Sequence, residues 1–308
     1  MKSVARRILI VGRSGQLALS LAALNRPGLT FVGRPEIDLG QAASLGAAVA
    51  RATPDIVINT GAYTFVDKAE SEPAAAFAIN RDGPAELARV CSASGIPLMH
   101  ISTDCVFDGL KTEPYEPHDL PAPLSVYGES KWQGEQAVAE HAPRHVIVRV
   151  SWLFSEFGGN FVRTMLELAR KRHEVTVVSD QWGYPTYCPD LAAGLFRIAD
   201  AACAPGFDGW GTYHLAGDED TDRAEMARRI YAESAALGGP VASVRAVPTS
   251  DYPTAAKRPL NARLESRKAI DTFGLTMPSW GIGLGESVRK LVAESGEHAG
   301  TRSNQKQG

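Results

Sequence analysis

Short apolar runs alternate with longer helical patterns through most of this 308-residue chain. The first four runs are apolar along their whole length, which is typical of strands that are buried on both faces. Such strands form a parallel sheet with helices on each side, so the alternation predicts an α/β fold with a doubly wound, Rossmann-type sheet. The predicted strands are 7–12, 29–33, 55–61, 97–103 and 145–153, with shorter ones at 174–178 and 211–216, and the helical patterns are 15–25, 41–52, 72–94, 127–141, 160–172 and 190–202.

After about residue 217 the alternation loosens into a helical pattern, a short strand-like run and a stretch that contains proline and arginine. Ligands of an open parallel sheet bind outside the carboxyl ends of its strands, and a lobe at that place would close over a substrate. We therefore predict a dinucleotide-binding Rossmann domain at 1–155, with 174–217 completing its sheet, a smaller C-terminal substrate-binding lobe at 218–298, to which 156–173 contribute, and a disordered tail at 299–308.

The composition argues against several classes of protein. The net charge of −3 and the pI near 6.2 leave no basic surface for nucleic acid. No run reaches the roughly 18 apolar residues of a membrane helix, and the basic N-terminus lacks the apolar stretch of a signal peptide. The cysteines, at 91, 105, 188 and 203, share no CxxC spacing. We expect reduced thiols, no disulfide or zinc site, no membrane partner and a cytoplasmic location.

The first predicted strand ends in a glycine turn, Val11-Gly12-Arg13-Ser14-Gly15-Gln16-Leu17-Ala18. Gly12 permits the tight turn, Gly15 lets the backbone approach a pyrophosphate, and Ala18 lets the helix lie close to the strand. The helix N-terminus then offers free N–H groups to the anion. A tight turn without a ligand is the alternative, but the place of this turn in the first βαβ unit favours a dinucleotide.

The end of the second predicted strand reads Val32-Gly33-Arg34, without the acid that binds the ribose hydroxyls of NAD. Arg34 and Arg13 could instead hold a 2′-phosphate, so NADPH is the favoured cofactor and NADH stays open. Each arginine alone could equally be a solvated surface residue. Asp38 follows, and could approach the adenine or cap the next helix.

Tyr127 and Lys131 stand four residues apart, so both side chains project from one face of a predicted helix. A phenol has a pKa near 10, and a nearby ammonium together with the nicotinamide charge lowers this pKa toward the working range. Tyr127 would then be the general acid that protonates the oxygen of a reduced carbonyl, while Lys131 also binds the nicotinamide ribose. The alternative is an amphipathic pair at an exposed helix N-terminus.

Thr103 and Asp104 end the fourth predicted strand at the same sheet edge. The Thr103 hydroxyl could donate to the carbonyl oxygen of a substrate and polarise it. Asp104 could bind a substrate hydroxyl or cap a turn. Together with the glycine turn, these residues favour a catalytic role for Tyr127 and Lys131.

The glycine turn, Thr103 and the Tyr127/Lys131 pair resemble the extended short-chain dehydrogenase/reductases, and further blocks resemble the dTDP-4-dehydrorhamnose reductase family among them. The resemblance runs in order from residue 7 to about 290. Those blocks are Asn59-Thr60-Gly61-Ala62-Tyr63-Thr64-Phe65-Val66-Asp67-Lys68-Ala69-Glu70, Ser102-Thr103-Asp104-Cys105-Val106-Phe107-Asp108-Gly109, Arg149-Val150-Ser151-Trp152-Leu153-Phe154, Gly159-Asn160-Phe161-Val162, Asp180-Gln181-Trp182-Gly183-Tyr184-Pro185-Thr186 and Arg258-Pro259-Leu260-Asn261.

The resemblance implies reduction of the C4 keto group of dTDP-4-dehydro-β-L-rhamnose with NADPH, for cell-surface polysaccharide synthesis. It also implies a set of contacts with cofactor and substrate. Gly15, Gln16 and Leu17 contact the cofactor pyrophosphate; Asp38 and Leu39 lie near its adenine; Gly61, Ala62 and Tyr63 line its passage; Thr103 and Asp104 contact substrate; Trp152 lies against the sugar; and Arg258 to Asn261 meet the diphosphate.

Two features depart from the family or stay open. Cys105 stands where the family usually has tyrosine, which we interpret as a packing change rather than a reactive thiol. Some relatives form homodimers around a metal held by glutamates, so the resemblance allows a homodimer. Those glutamates do not map onto this chain, so metal use is left unknown. Alternative functions are a related sugar-nucleotide reductase or epimerase, and a non-catalytic nucleotide-binding regulatory subunit. The intact set Thr103, Tyr127 and Lys131 argues against the regulatory subunit.

Overall fold

The computed structural model describes residues 5–41 and 43–304. Its strands in chain order are β1 (Ile8–Val11), β2 (Leu29–Val32), β3 (Ile56–Asn59), β4 (Leu98–Thr103), β5 (His145–Val150), β6 (Leu153–Phe154), β7 (Glu174–Val178), β8 (Trp182–Gly183), β9 (Thr186–Tyr187), β10 (Gly211–His214), β11 (Thr221–Asp222), β12 (Ser243–Val247) and β13 (Asn261–Ala262). Its α-helices are α1 (Gln16–Ala23), α2 (Ala43–Ala52), α3 (Val66–Ala69), α4 (Pro73–Phe77), α5 (Gly83–Ala93), α6 (Val126–His141), α7 (Phe161–Ala169), α8 (Cys188–Ala202), α9 (Arg223–Ala236), α10 (Arg267–Phe273) and α11 (Trp280–Asn304). Among these described helices, none has the length and apolar character that crossing a membrane requires.

Six parallel strands form the central sheet in the order β10-β5-β4-β3-β1-β2. β1 pairs with β2 on one side and with β3 on the other, so the strand order reverses at β1. The register aligns Val11 with Val32 and with Asn59, which brings three carboxyl ends to one edge. Ligands of such sheets bind in the crevice at the reversal point. The predicted doubly wound α/β fold is confirmed.

Of the two shorter strands predicted beyond residue 155, β10 joins the central sheet and β7 does not. β7 pairs with β12 in a separate two-stranded sheet, so the predicted place of 174–178 in the main sheet is wrong. The reason lies in its burial pattern, because Val175 and Val177 are buried while their neighbours keep some exposure. One apolar face suits a sheet that is covered on one side only.

One predicted helical segment and the predicted disordered tail also differ from the structure. The pattern at 72–94 is divided into α4 and α5 by a π-helical turn, Ala78–Asp82, whose Asn80 is fully buried. α11 continues to Asn304, so 299–304 of the predicted disordered tail are helical, and 305–308 lie outside the described residues.

Apolar side chains fill both faces of the central sheet and a third region beside it. Residues of α1, α8 and α10 cover one face, and residues of α2, α5 and α6 cover the other. The third cluster lies among α7, α9 and α11 and draws its members from 154–187 and from 224–291. Side chains that follow the carboxyl ends of the strands therefore lie between the central sheet with its helices and the third cluster.

A buried ion pair joins α6 to β5. Glu135 and Arg149 are both almost fully buried, and Arg149 Nη2 donates to Glu135 Oε2 over 2.7 Å while Nε donates over 3.0 Å to Oε1. The guanidinium also lies 5.0 Å from the ring centroid of Phe107. Buried charges persist where they are paired, so this contact fixes α6 against the sheet.

Gly134 lets α6 approach the π-helical turn closely. A Cβ atom at this position would collide with the backbone carbonyl oxygen of Asn80. The neighbour is backbone rather than a flexible side chain, so it cannot move aside without shifting the turn. Gly46 in α2 is different, because a Cβ there would stand 3.8 Å from Val90 Cγ2, which is ordinary contact.

We therefore expect Gly134→Ala to lower the free energy of unfolding by about 1–3 kcal/mol, the usual cost of overpacking. Gly46→Ala should instead raise it by up to about 1 kcal/mol, because alanine has the higher helix propensity. Urea unfolding followed by circular dichroism measures both. Equal effects of the two substitutions would contradict the close approach of α6.

Candidate active site

The first turn of α6 is fixed by a cap and by a close approach. The Ser125 hydroxyl accepts a hydrogen bond from the Gly128 backbone N–H over 3.1 Å. A Cβ atom at Gly128 would collide with the carbonyl oxygen of Cys105, so only glycine lets the helix lie this near the end of β4. This geometry brings Tyr127 beside Thr103, as the sequence predicts.

Tyr127 is half-buried, with its phenol inside the site. Burial raises its pKa well above the ordinary value, the charges of Cys105 and Asp104 act in the same direction, and a hydrogen bond with the Thr103 side chain lowers it. From the sequence we predict a lowered pKa where the ammonium and the nicotinamide charge act together. In the protein without cofactor desolvation exceeds the other effects, and the predicted lowering with a bound nicotinamide stays a prediction.

Lys131 is almost fully buried and points at β4. Its Nζ donates to the carbonyl oxygen of Ile101 over 2.7 Å and lies 3.3 Å from His100 Nε2. Burial lowers the pKa of the amine to about 8, against the charge of Glu135, which raises it. The side chain is therefore held by the sheet.

His100 and Asn59 belong to the site, and the sequence argument missed them. His100 is fully buried, its Nδ1 lies 3.0 Å from Asn59 Nδ2, and burial together with Lys131 holds its pKa well below the ordinary value. Asn59 Oδ1 accepts from the Gly61 N–H over 3.1 Å. The available signal was a polar side chain inside an otherwise apolar strand, because such a group needs a partner.

Thr103 and Asp104 meet at the end of β4. The Thr103 hydroxyl donates to Asp104 Oδ1 over 2.8 Å and accepts from the Cys105 N–H, so Thr103, not Asp104, caps the short 3₁₀ turn that follows. Ser151, which the sequence argument missed as a site residue, donates to Asp104 Oδ2 over 2.9 Å. Burial raises the pKa of Asp104, and the positive charge of Arg223 opposes this rise.

Trp152 stands at the junction of the sheet and the third cluster, with a positive φ of 45°. The guanidinium carbon of Arg223 lies 3.5 Å from the centroid of its ring, and Gly183 packs against the indole as well. Burial lowers the pKa of Arg223 to about 10. The expected contact of this ring with a sugar stays a prediction, and it requires Arg223 to share or leave the ring. No sequence signal pointed to Arg223.

The glycine turn after β1 has the conformation that the sequence predicts. Gly12 has a φ of 120°, and a Cβ there would collide with Thr60 Oγ1. Gly15 stands at the N-cap of α1 with no chain atom within 4 Å of an added Cβ, so space is open beside the first backbone N–H groups. The Leu17 side chain is in the core, and the Gln16 amide donates to the Leu153 carbonyl oxygen over 3.3 Å. Their predicted cofactor contacts therefore fall to the backbone.

Arg13 is not free at the end of β2. Its Nη1 lies 2.6 Å from Glu36 Oε2, an acid that the sequence argument did not weigh against a 2′-phosphate. Asp38 lies several residues before the start of α2, and its Oδ1 accepts from the Gly40 N–H over 2.9 Å. Leu39 is buried under Gly61. Arg34 follows Gly33, and Gly33 lies beside the Arg13 side chain.

Gly61, Ala62 and Tyr63 follow β3 at the sheet edge. Ala62 is half-buried, whereas Tyr63 is buried and its hydroxyl donates to Glu72 Oε2 over 2.7 Å. The Tyr63 ring belongs to the apolar cluster against which Tyr127 packs. Its side chain therefore supports Tyr127, and its predicted cofactor contact stays a prediction.

Arg258 and Asn261, predicted to meet a diphosphate, are bonded within the chain. Arg258 forms a two-pronged pair with Asp67 over 2.6 and 2.9 Å. Asn261 Nδ2 donates to the Lys111 and Glu113 carbonyl oxygens, and its Oδ1 accepts from Arg263. Asn261 thus holds the loop around Lys111 and Glu113. Arg258 would have to exchange Asp67 for a phosphate.

The chain fits a dinucleotide at the edge where β1 and β3 end. The open cradle at Gly15, the uncapped N-terminus of α1 and the half-buried Ala62 suit a pyrophosphate and its riboses. Lys131 and Tyr127 lie at the neighbouring strand, β4.

Within the described residues, no group of three or more His, Cys, Asp or Glu side chains could hold a metal ion. The Cys105 thiol has a raised pKa through burial, in agreement with a packing role.

Comparison with known proteins gives one consistent family. The model described as the RmlD substrate binding domain matches residues 6–293. A dTDP-4-dehydrorhamnose reductase of Sinorhizobium fredii is 42% identical over 93% of this chain and 96% of its own length, and one of Escherichia coli K12 is 35% identical over 92% and 97%. A crystal structure of the Bacillus anthracis dTDP-4-dehydrorhamnose reductase with NADP superposes with a TM-score of 0.83 at 31% identity, covering 94% of this chain and all of that one.

The cap of α6 gives a test of how the site is assembled. We expect Ser125→Ala to lower the free energy of unfolding by about 1 kcal/mol, because the Gly128 N–H loses its acceptor. Ser125→Asn keeps a capping oxygen and should stay within a few tenths of the wild-type value. Urea unfolding measures both. If the alanine and asparagine variants were equally stable, the cap would not hold the helix start.

Proposed function

The chain belongs to the RmlD substrate binding domain family, and we propose that it reduces the C4 keto group of dTDP-4-dehydro-β-L-rhamnose with NADPH to give dTDP-L-rhamnose. One observation carries the proposal. An open glycine cradle at the start of α1 and the group Thr103, Tyr127 and Lys131 lie at the same edge of one parallel sheet. A dinucleotide held by the first can reach a carbonyl held by the second.

In this mechanism the cofactor supplies the hydride, and the chain supplies the proton and the geometry. Tyr127 donates the proton of its phenol to the oxygen of the reduced carbon. Its raised pKa in the protein without cofactor keeps the phenol protonated, which is the state a general acid needs. The Thr103 hydroxyl turns from Asp104 to the carbonyl oxygen and polarises it.

Lys131 and Asp104 have positioning and electrostatic tasks in the proposal. Lys131, held by Ile101, directs an N–H to the nicotinamide ribose, and as an ammonium it stabilises the phenolate left on Tyr127. Asp104, oriented by Ser151, accepts from a sugar hydroxyl. Trp152 covers an apolar face of the deoxysugar, and Arg258 exchanges Asp67 for the diphosphate.

The cofactor preference is assigned to Arg34 and Arg13. Two guanidinium groups at the end of β2 can bind a 2′-phosphate, and Glu36 is the acid that such a phosphate would have to displace from Arg13. The pair is exposed, so breaking it costs little. We also propose a cytoplasmic location, supported by four free thiols in the chain.

Tyr127→Phe should lower kcat by about 10²–10⁴-fold, the usual contribution of a general acid. The assay follows NADPH oxidation with dTDP-4-dehydro-β-L-rhamnose. Tyr231→Phe is the matched control, because it removes a buried phenol hydroxyl that donates to the Met165 carbonyl oxygen, away from the site. Nearly full kcat in Tyr127→Phe would remove the acid role, and no turnover by the wild type would remove the proposed substrate.

For the cofactor, Arg34→Ala should raise the KM for NADPH about tenfold or more and leave that for NADH nearly unchanged, since only NADPH carries the 2′-phosphate. Glu36→Gln should act in the opposite direction, lowering the KM for NADPH because Arg13 is released. Both KM values are measured at one ionic strength. Parallel changes for NADPH and NADH in either variant would contradict this assignment.

A further inference from the structure

A chain of four hydrogen-bonding groups runs beneath the site, from Gly61 through Asn59 and His100 to Lys131. Asn59 and His100 are buried, so each polar atom needs a complementary partner. The backbone N–H of Gly61 can only donate, and it lies 3.1 Å from Asn59 Oδ1. The amide carbonyl of Asn59 therefore faces Gly61, and its NH₂ group faces His100.

The orientation of Asn59 determines the tautomer of His100. Asn59 Nδ2 carries the hydrogens and lies 3.0 Å from His100 Nδ1, so Nδ1 must accept. A doubly protonated ring would set two donors against each other at this contact. The neutral ring then carries its proton on Nε2, which faces Lys131.

The tautomer of His100 in turn restricts Lys131. His100 Nε2 lies 3.3 Å from Lys131 Nζ, and an ammonium there has three donors and no acceptor. A neutral amine has one lone pair, which can accept from the Nε2–H, and two N–H groups. One of these donates to the Ile101 carbonyl oxygen over 2.7 Å, and within the described part of the chain the other is left for a ligand.

We propose that Asn59 and His100 are positioning residues that favour the neutral amine of Lys131 over its ammonium in the protein without cofactor. The inference rests on the proposed function in so far as that function gives Lys131 its task. Above the pH at which Lys131 titrates, the ammonium that supports the Tyr127 phenolate must then gain its proton as the enzyme meets its ligands. Asn59 and His100 thereby decide at which pH the working form of Lys131 is populated.

The charged groups around the amine agree with this assignment. On α6, Tyr127 and Glu135 lie one turn before and after Lys131, and Glu135 is already paired with Arg149 of β5. β4 contributes His100, and Asp104 follows its end. β3 contributes Asn59, which is uncharged. Burial lowers the pKa of Lys131 to about 8, and Glu135 opposes it without restoring the ordinary value.

Nuclear magnetic resonance of the cofactor-free protein tests the proposal directly. Long-range ¹H–¹⁵N spectra report the tautomer of His100, and ¹³Cε-lysine spectra report the titration of Lys131, with assignments from His100→Gln and Lys131→Gln. At about pH 9 and above, where the amine is neutral, we expect an Nε2-protonated ring, and we expect a Lys131 pKa near 8. An Nδ1-protonated ring, or a Lys131 that titrates near its ordinary value of about 10.4, would overturn the proposal. Turnover plays no part in these spectra, so failure of the proposed reduction is a separate result.

Two variants of Asn59 extend the test. In Asn59→Asp the carboxylate accepts from both neighbours, so Nδ1 becomes protonated, Nε2 becomes an acceptor, and the Lys131 pKa rises by about one pH unit or more. Asn59→Leu removes the donor to Nδ1 and should raise the Lys131 pKa without an added charge. If the Lys131 pKa rises in both variants, the charge of the aspartate alone cannot be the cause. Unchanged tautomer and pKa in the aspartate variant would overturn the proposal even if the leucine variant does not fold.

The pH profile of kcat/KM for NADPH separates positioning from mere structure. This ratio reports the pKa values of the free enzyme. With an ammonium as the working form, the wild-type profile should fall about tenfold per pH unit above the Lys131 pKa. In Asn59→Asp the fall should move to higher pH by the shift seen in the lysine spectra. A Lys131 pKa that moves in the spectra while the profile stays fixed would count against the proposed task of Lys131 and leave its neutral state standing.

Discussion

The position of the site depends on two close backbone approaches of one helix. Gly128 lets α6 lie against the carbonyl oxygen of Cys105, and Gly134 lets it lie against that of Asn80. α6 is thus held close to the turn after β4 and to the π-helical turn, and Lys131 is almost fully buried. The buried Lys131 amine contacts Ile101 and His100, and the raised pKa of Tyr127 likewise comes from burial.

Several cationic side chains that would meet a ligand are held by partners within the chain. Arg13 is paired with Glu36, Arg258 with Asp67, and Arg223 lies on the ring of Trp152. The two ion pairs are partly exposed, so exchanging a carboxylate for a phosphate costs little and adds a more highly charged partner. These arginines are thus kept near the strand ends by partners that a ligand can replace.

The main features of the fold could be predicted, because strands buried on both faces are apolar throughout and such runs are visible in a sequence. β7 was misplaced because its apolar residues alternate, and a short alternating run does not reveal its partner.

In the site, fixed spacing brought out Tyr127, Lys131, Thr103 and the glycine turn. Arg223, Ser151 and His100 could not be found in this way, since their contacts depend on segments far apart in the chain. The direction of the Tyr127 pKa was also beyond spacing, because burial is set by the whole fold. The predicted homodimer stays a prediction.

The ion pair between Glu135 and Arg149 has an evolutionary consequence. Replacing either partner alone leaves a buried charge, at a cost of about 3–5 kcal/mol, which is a large share of the stability of a typical domain. An apolar pair in its place is often neutral or stabilising, yet it is reached only through one of these unstable single changes. Lineages that carry the pair are therefore expected to keep it even where a better-packed alternative exists, and divergence of α6 should occur around it.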